Sequence, residues 1–306
     1  MTLPMFIGDN LGLIARAASP ANLAPRVSFE FFPPKTPEME ATLWQAIRRL
    51  EPLSPAFVSV TYGAGGGNRE RTHRTVKRIL DETSLKPAAH LTCVGAARQD
   101  VDAVIADYWA AGVRNIVALR GDPPSGVGGA YAPRADGYAN ATELTAAIHR
   151  IAPFEVMVGV YPEKHPESPS FDHDIDVLKA KIDAGATVGI SQFFFDIDAF
   201  LRFHDRVRKA GVTIPIVPGI MPVTNLKGLV KMACEAAVPA WLSHLFEGLD
   251  DDAETRRLLA GAVAVELCAK LKGEGFDDFH FYTLNRADLV YAICLVLGLR
   301  EEAAVS

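Results

Sequence analysis

Eight short apolar runs, each followed by a stretch whose apolar residues recur at helical spacing, are the feature that most limits what this chain can fold into. Repeated strand-then-helix units build a parallel sheet, because parallel neighbours need a crossover that packs on one face. The runs fall at 27–32, 57–61, 88–93, 115–119, 156–160, 189–194, 214–217 and 278–283. They are nearly continuous in apolar character, which suits strands covered on both faces. Eight such units in 306 residues predict an α/β fold, a closed eight-stranded β/α (TIM) barrel. An open doubly wound sheet is the architectural competitor. The stretch 224–275 is too long for one helix, so extra helices are expected between strands seven and eight. One of them would be led by Asp250, Asp251, Asp252 and Glu254, which supply a cap and first-turn negative charge.

With 49% hydrophobic residues the chain can bury a substantial core, and no repeat, charge run or low-complexity linker marks a second domain. Residues 1–306 are therefore read as one catalytic domain with an N-terminal extension at 1–24 and no regulatory domain. A net charge of −6 leaves no basic footprint for nucleic acid or an anionic membrane. Cys93, Cys234, Cys268 and Cys294 are far apart, which argues against a zinc knuckle or a disulfide framework and for reduced core thiols. Asp9 and Asn10 interrupt what would have been an export signal, and no apolar run nears the roughly 18 residues of a membrane span. These features predict a cytoplasmic protein with small-molecule or protein partners.

Barrel chemistry sits at the C-terminal strand ends and in the loops beyond them, so polar residues there are the candidates. Glu30 stands among aromatics in an otherwise apolar strand, where a carboxylate needs a partner or a proton. It is either half of a structural ion pair or a general acid with a raised pKa. Asp122, in Arg120-Gly121-Asp122 after strand four, would raise that pKa further if it lies close; capping a turn is the alternative. Pro123 and Pro124 keep a helix from starting there, and residues 125–140 read as a long loop. The loop Thr61-Tyr62-Gly63-Ala64-Gly65-Gly66-Gly67 lets backbone approach a planar ligand or a phosphate, but Asn68 breaks the dinucleotide fingerprint.

After strand five, Tyr161 and His165 lead to a helix carrying Asp174 and Lys181 on one face, expected to be solvent-accessible, a set able to hold a ribose hydroxyl and a phosphate. His165 and His173 match no metal-ligand spacing, and no metal is expected. Gln192 lies beside Phe193, Phe194 and Phe195, and a Gln in that setting needs a partner such as a heteroaromatic ligand with amide edges. The last strand carries Phe279-His280-Phe281-Tyr282 and leads to Arg286.

In order along the chain, FEFFPP, VTYGAGGG, LRGDPP, YPEKHPE, SQFFFD, PGIMPV, GLDDDAETR and FHFYTLNR resemble the bacterial methylenetetrahydrofolate reductases from about Val27 to Arg300. The resemblance implies a β/α barrel holding noncovalent FAD, which takes hydride from a reduced nicotinamide, NADH in preference to NADPH, and passes it to 5,10-methylenetetrahydrofolate in a ping-pong reaction feeding methionine synthesis. It implies that Glu30 is the acid that opens the imidazolidine ring, and that Asp122 and Gln192 hold the pterin and tune the flavin. It assigns Thr61, Tyr62, Ala64, His90, Arg120, Gly121, Asp122, Ala139, Tyr161, His165, Asp174 and Lys181 to the FAD site or its nicotinamide neighbour. Gln192, Tyr282 and Arg286 become substrate contacts, and a homo-oligomer is implied.

The chain departs from the enterobacterial pattern at Gly228 and Met232, where a Gln and a Phe meet nicotinamide, and at Val177 and Ala180, near the FAD phosphates. It lacks the second domain through which eukaryotic relatives respond to S-adenosylmethionine. Two other classes fit the pterin-facing residues: a non-redox folate barrel such as a methyltransferase module, and a reductase fed by an iron–sulfur partner.

Overall fold

The structure is a computed structural model that describes residues 24–62, 69–122, 131–226, 228–229 and 238–301. Eight strands, β1 (Arg26–Phe31), β2 (Val58–Val60), β3 (Pro87–Thr92), β4 (Asn115–Leu119), β5 (Glu155–Val160), β6 (Val188–Phe193), β7 (Ile216–Ile220) and β8 (Asp278–Tyr282), pair in chain order and close into a barrel. The ladder between β8 and β1 is parallel and sets His280 opposite Ser28 and Tyr282 opposite Glu30. An open doubly wound sheet would leave that edge unpaired, so closure decides between the two architectures.

Around the barrel run α1 (Pro37–Leu50), α2 (Arg69–Glu82), α3 (Arg98–Ala110), α4 (Ala141–Ile151), α5 (Phe171–Asp183), α6 (Ile197–Lys209), α7 (Ala240–Leu245), α8 (Ala253–Gly273) and α9 (Ala287–Val296). Short polar side chains start several of them by accepting from an orphan backbone N–H. Thr36 caps α1 with Pro37 as first helical residue, Asn140 caps α4, Ser170 caps α5 and Asp196 caps α6. The extra helices α7 and α8 fall between strands seven and eight as expected. Asp252 is the member of the acidic triplet that caps α8, accepting from the Thr255 N–H at 2.9 Å. No helix among the described residues is long and apolar enough to cross a membrane.

Strand alternation sorts side chains into two layers. Val27, Phe29 and Phe31 face outward and join the core between barrel and helices, whereas Ala88, Val117, Met157 and Ile190 fill the lumen. The same alternation turns Ser28 and Glu30 inward.

Sequence and structure part company at β7, expected at 214–217 and found at Ile216–Ile220. Pro218 and Gly219 read as strand breakers, yet Gly219 is needed in the strand: a Cβ there would lie 2.2 Å from the Ser191 carbonyl oxygen and 2.7 Å from the Tyr282 ring. β2 is shorter than expected, with Phe57 and Thr61 left outside it. The glycine-rich loop with Ala64, the segment 123–130 with its two prolines, Met232, Cys234 and nearly all of the 1–24 extension lie outside the described residues.

Candidate active site

Over the C-terminal ends of the strands opens a cavity of about 1360 Å³. Its floor is set by strand register. Glu30 from β1, His90 from β3 and His280 from β8 all point inward and are 8%, 7% and 1% exposed. Glu30 Oε2 lies 3.3 Å from His90 Nε2 and 3.7 Å from His280 Nε2. Behind them, Ser28 Oγ and His280 Nδ1 are 2.7 Å apart. With the serine hydroxyl donating to Nδ1, the Nε2–H of His280 is turned toward the carboxylate. Burial pushes the His90 pKa below its usual value and outweighs the pull of Glu30, so His90 stays neutral at pH 7. Among the described residues His90 Nε2 makes no aligned hydrogen bond despite its distance to Glu30, which leaves a buried ring nitrogen in need of a partner. Among the described residues no set of His, Cys, Asp or Glu is placed to hold a metal ion.

The opposite wall comes from loops. Gly121, at φ +86°, carries the chain from β4 past β3: a Cβ would lie 2.5 Å from Val94 Cγ1 and 2.9 Å from Thr92 Cβ. That turn sends Arg120 across the Tyr131 ring, 4.3 Å from its centroid, and into a two-pronged ion pair with Glu167. Asp122 lines the cavity but is exposed. On the loop after β5, His165 meets Tyr161 edge-on at 4.6 Å and accepts through Nδ1 from the Glu167 N–H. The backbone N–H of His165 donates to Asp174 on α5 at 2.9 Å, which ties the loop to the first turn of that helix.

Lys181, expected with Asp174 on a solvent-accessible helix face, instead turns inward and donates to the Gly159 carbonyl at 3.1 Å. Burial, with Arg120 adding to it against the attraction of Asp174, lowers its pKa from 10.5 to about 8. The expectation failed because spacing places both residues on one side of the helix but does not say that this side faces β5. Val177 and Ala180, where the resemblance led one to look for polar residues, line the same wall with apolar surface.

Most of the sequence candidates thus meet in one cavity. Thr61 and Tyr62 line it from the end of β2, where the Tyr62 hydroxyl is buried near Arg69 and has no well-aligned hydrogen-bond partner among the described residues. Gln192 lines it from β6, its Oε1 accepting from the Phe193 N–H. Tyr282 presents its ring while its hydroxyl donates to the Ser191 carbonyl at 2.7 Å.

Two candidates lie elsewhere. Ala139 stands outside the lining, its N–H donating to Glu143 and its carbonyl accepting from Tyr131. Arg286 is exposed, bonds Thr224 Oγ1 and lines a second cavity. His280, Ser28 and Glu167 were missed. The first two carry a readable signal, polar residues at inward positions of apolar strands; the pairing of Glu167 with Arg120, 47 residues apart, carries none.

A family model described as Methylenetetrahydrofolate reductase matches residues 16–298 of this chain. The chain belongs to the methylenetetrahydrofolate reductase family. It is 50% identical over 276 residues to the 5,10-methylenetetrahydrofolate reductase of Escherichia coli K12, covering 90% of this chain and 91% of that one. It is 43% identical over 274 residues to the enzyme of that name from Buchnera aphidicola subsp. Acyrthosiphon pisum, covering 89% and 91%. A probable methylenetetrahydrofolate reductase (NADH) of Oryza sativa subsp. japonica is 35% identical over 292 residues, and the match spans 91% of this chain but only 49% of the rice protein. Among solved structures, an uncharacterized Clostridium thermocellum protein that binds two copies of 5-methyl-5,6,7,8-tetrahydrofolic acid superposes with a TM-score of 0.62 over 94% of this chain and 97% of that one. At 13% identity that likeness speaks for the fold alone.

Proposed function

We propose that the protein reduces 5,10-methylenetetrahydrofolate to 5-methyltetrahydrofolate, drawing hydride from a reduced nicotinamide, with NADH the favoured donor, through noncovalently held FAD. What carries the reading is the carboxyl of Glu30, nearly buried on the floor of a large cavity, flanked by two histidines and backed by Ser28. Family membership narrows the substrate to a folate.

The residues fit a flavin dinucleotide. The cavity volume exceeds the roughly 300–1,000 Å³ of ordinary small-ligand pockets. Arg120 and Lys181 supply positive charge for a diphosphate, Gly121 allows close backbone approach, and the Tyr62 hydroxyl offers an unmet hydrogen bond. Tyr161, His165 and Asp174 would hold the remainder of the dinucleotide. Bound there, FAD would supply two-electron hydride chemistry that no side chain can.

The protein's own part is proton chemistry and placement. Opening the five-membered folate ring breaks the bond between the methylene carbon and N10. N10 leaves with a proton and N5 keeps the carbon as an iminium, which hydride converts to methyl. Glu30 delivers that proton. His280, oriented by Ser28, and His90 flank the carboxyl and face the anion that it becomes. Gln192 and Asp122 present an amide and a carboxylate to the pterin edge, and the Tyr282 ring packs beside it.

The test is anaerobic. The purified protein should be yellow, NADH should bleach its flavin faster than NADPH does, and methylenetetrahydrofolate should restore the colour. A colourless protein that binds folate would instead support a non-redox barrel, and flavin that only an iron–sulfur protein can reduce would support the partner-dependent class.

A further inference from the structure

The lumen of the barrel is mixed in character. Ala88, Val117, Met157 and Ile190 fill it with apolar side chains, whereas Ser28, Glu30, Ser59, His90 and His280 place buried polar groups there from β1, β2, β3 and β8. Four of those five polar residues belong to the floor described above. Ser59 does not. Its neighbours Val58 and Val60 join the core between barrel and helices, so strand alternation turns Ser59 inward. It is 0% exposed, and its Oγ makes no hydrogen bond among the described residues. A buried hydroxyl left without a partner costs stability, and an alanine would occupy the place without that cost.

Strand register says what the hydroxyl is for. The ladder between β1 and β2 sets Ser59 opposite Glu30, and the ladder between β2 and β3 sets it opposite Ala88. Neighbouring strands run about 4.8 Å apart, so the hydroxyl stands between a carboxyl and a methyl. Of the two, the carboxyl alone accepts a hydrogen bond. Both histidines approach Glu30 at Oε2, at 3.3 and 3.7 Å, which leaves Oε1 for a different donor. The need for that donor depends on the proton. A neutral carboxyl in a buried site stands with few partners, whereas a carboxylate there needs donors on both oxygens. His280 turns its Nε2–H toward the anion, and His90 stays neutral. An anion formed here therefore lacks a donor at one oxygen, beside a hydroxyl that lacks an acceptor.

We propose that Ser59 is a positioning residue for Glu30: its hydroxyl turns to donate to the carboxylate when the proton leaves and lets go when the proton returns. Ser59 thereby sets how readily Glu30 gives up its proton, without touching substrate or flavin. The proton that reaches the leaving nitrogen comes from the Glu30 carboxyl and is replaced from water after turnover, while Ser59 keeps its own throughout. Its service to ring opening rests on the proposed reductase function, whereas the hydrogen bond to the carboxylate does not.

Infrared titration of the Glu30 carboxyl, assigned as the band that Glu30→Gln removes, tests the hydrogen bond without any turnover. Loss of a donor to the anion makes the carboxyl keep its proton to higher pH. In Ser59→Ala the band should therefore titrate about one pH unit above wild type, and Ser59→Thr, which restores a hydroxyl, should bring it most of the way back. The groups that face the carboxyl from the neighbouring strands, His90 and His280, are the same in all three proteins, as are Arg120, Asp122 and Lys181 higher in the cavity, so the shift reports on the hydroxyl. Anaerobic stopped flow reads the consequence. At neutral pH NADH should bleach the flavin of Ser59→Ala within about twofold of the wild-type rate, while reoxidation by methylenetetrahydrofolate falls about tenfold and the alkaline limb of that half-reaction moves up with the infrared titration. A band that titrates alike in wild type and Ser59→Ala overturns the proposal, and so does a shift that Ser59→Thr repeats in full, which would trace it to packing. A band that shifts and returns as expected in a chain that turns over no folate would uphold the hydrogen bond and sink the reductase reading instead.

Discussion

On the side of the first cavity carried by β1, β3 and β8, Glu30, His90 and His280 are less than a tenth exposed and meet because strand register brings them together. On the side carried by the loops after β4 and β5, the side chains of Arg120 and Glu167 are 25% and 33% exposed and meet across 47 residues of chain. The strand side has few partners, and His90 Nε2 has none among the described residues. The loop side has many charge-assisted contacts, screened in part by water. A barrel can separate its tasks in this way, with the proton-handling group on the rigid wall and the groups that grip a large anion on adaptable loops. If so, changes on the strand side should alter rate steeply with little effect on binding, and changes on the loop side should alter retention in smaller steps.

The largest effect is expected from Glu30→Gln. The amide keeps the shape of the carboxyl but cannot deliver a proton to N10, and a general acid is worth about 10²–10⁴-fold in rate. In anaerobic stopped flow, NADH should bleach the flavin of the variant within roughly tenfold of the wild-type rate, while reoxidation by methylenetetrahydrofolate falls at least about 10²-fold. If both half-reactions fall together, Glu30 positions the flavin or the fold, and the division between the two walls is lost.

The same division explains what the sequence disclosed. The strands showed as continuous apolar runs, and Glu30 showed because a carboxylate has no business in such a run without a partner. His280 carries the same signal, but its place between Phe279 and Phe281 hides it among aromatics that suit a core. Strand β7 was placed early because Pro218 and Gly219 look like a break. Only the close approach of Ser191 and Tyr282 reveals that glycine is what the strand requires there. The loop side was readable as a list of residue types but not as contacts. Nothing in the local pattern says that Glu167 reaches Arg120, that Lys181 turns toward β5, or that Arg286 lines a second cavity.

A middle-sized effect should come from Lys181, the α5 cation that turns toward β5, and here two observables should move in opposite directions. Its pKa is lowered from 10.5 to about 8 in the folded protein, so between those values the unfolded chain holds the proton more firmly. Raising the pH through that window therefore adds to the stability of the apoprotein. Cofactor retention has the other sign, because the charged ammonium attracts the diphosphate and its loss above about 8 weakens the grip. Chemical denaturation and flavin-release fluorescence across this range should show the opposed slopes in wild type. Lys181→Met should lose both, with FAD bound about 10–100-fold more weakly at neutral pH. Retention that stays level through the window would remove Lys181 from the cofactor's surroundings.

The smallest effect is expected where the contact looks strongest on geometry. Arg120 and Glu167 form a two-pronged ion pair, and the hydrogen bonds from Arg120 lower the Glu167 pKa below its usual value. Both side chains remain a quarter to a third exposed, so water already solvates them and the pair adds only about 0–1 kcal/mol to stability. Glu167→Gln should leave the melting temperature within a few degrees of wild type, as expected for so small a change in stability. Its consequence lies in what Arg120 does once released. The guanidinium, still stacked on Tyr131, is then free to turn fully toward a bound diphosphate, so FAD should be held as well as or a few-fold better than in wild type. Equilibrium flavin titration of the apoprotein reads this directly. A marked loss of FAD affinity would mean that Glu167 fixes Arg120 in the only orientation that binds, and the loop wall would then be as preorganised as the strand wall it was contrasted with.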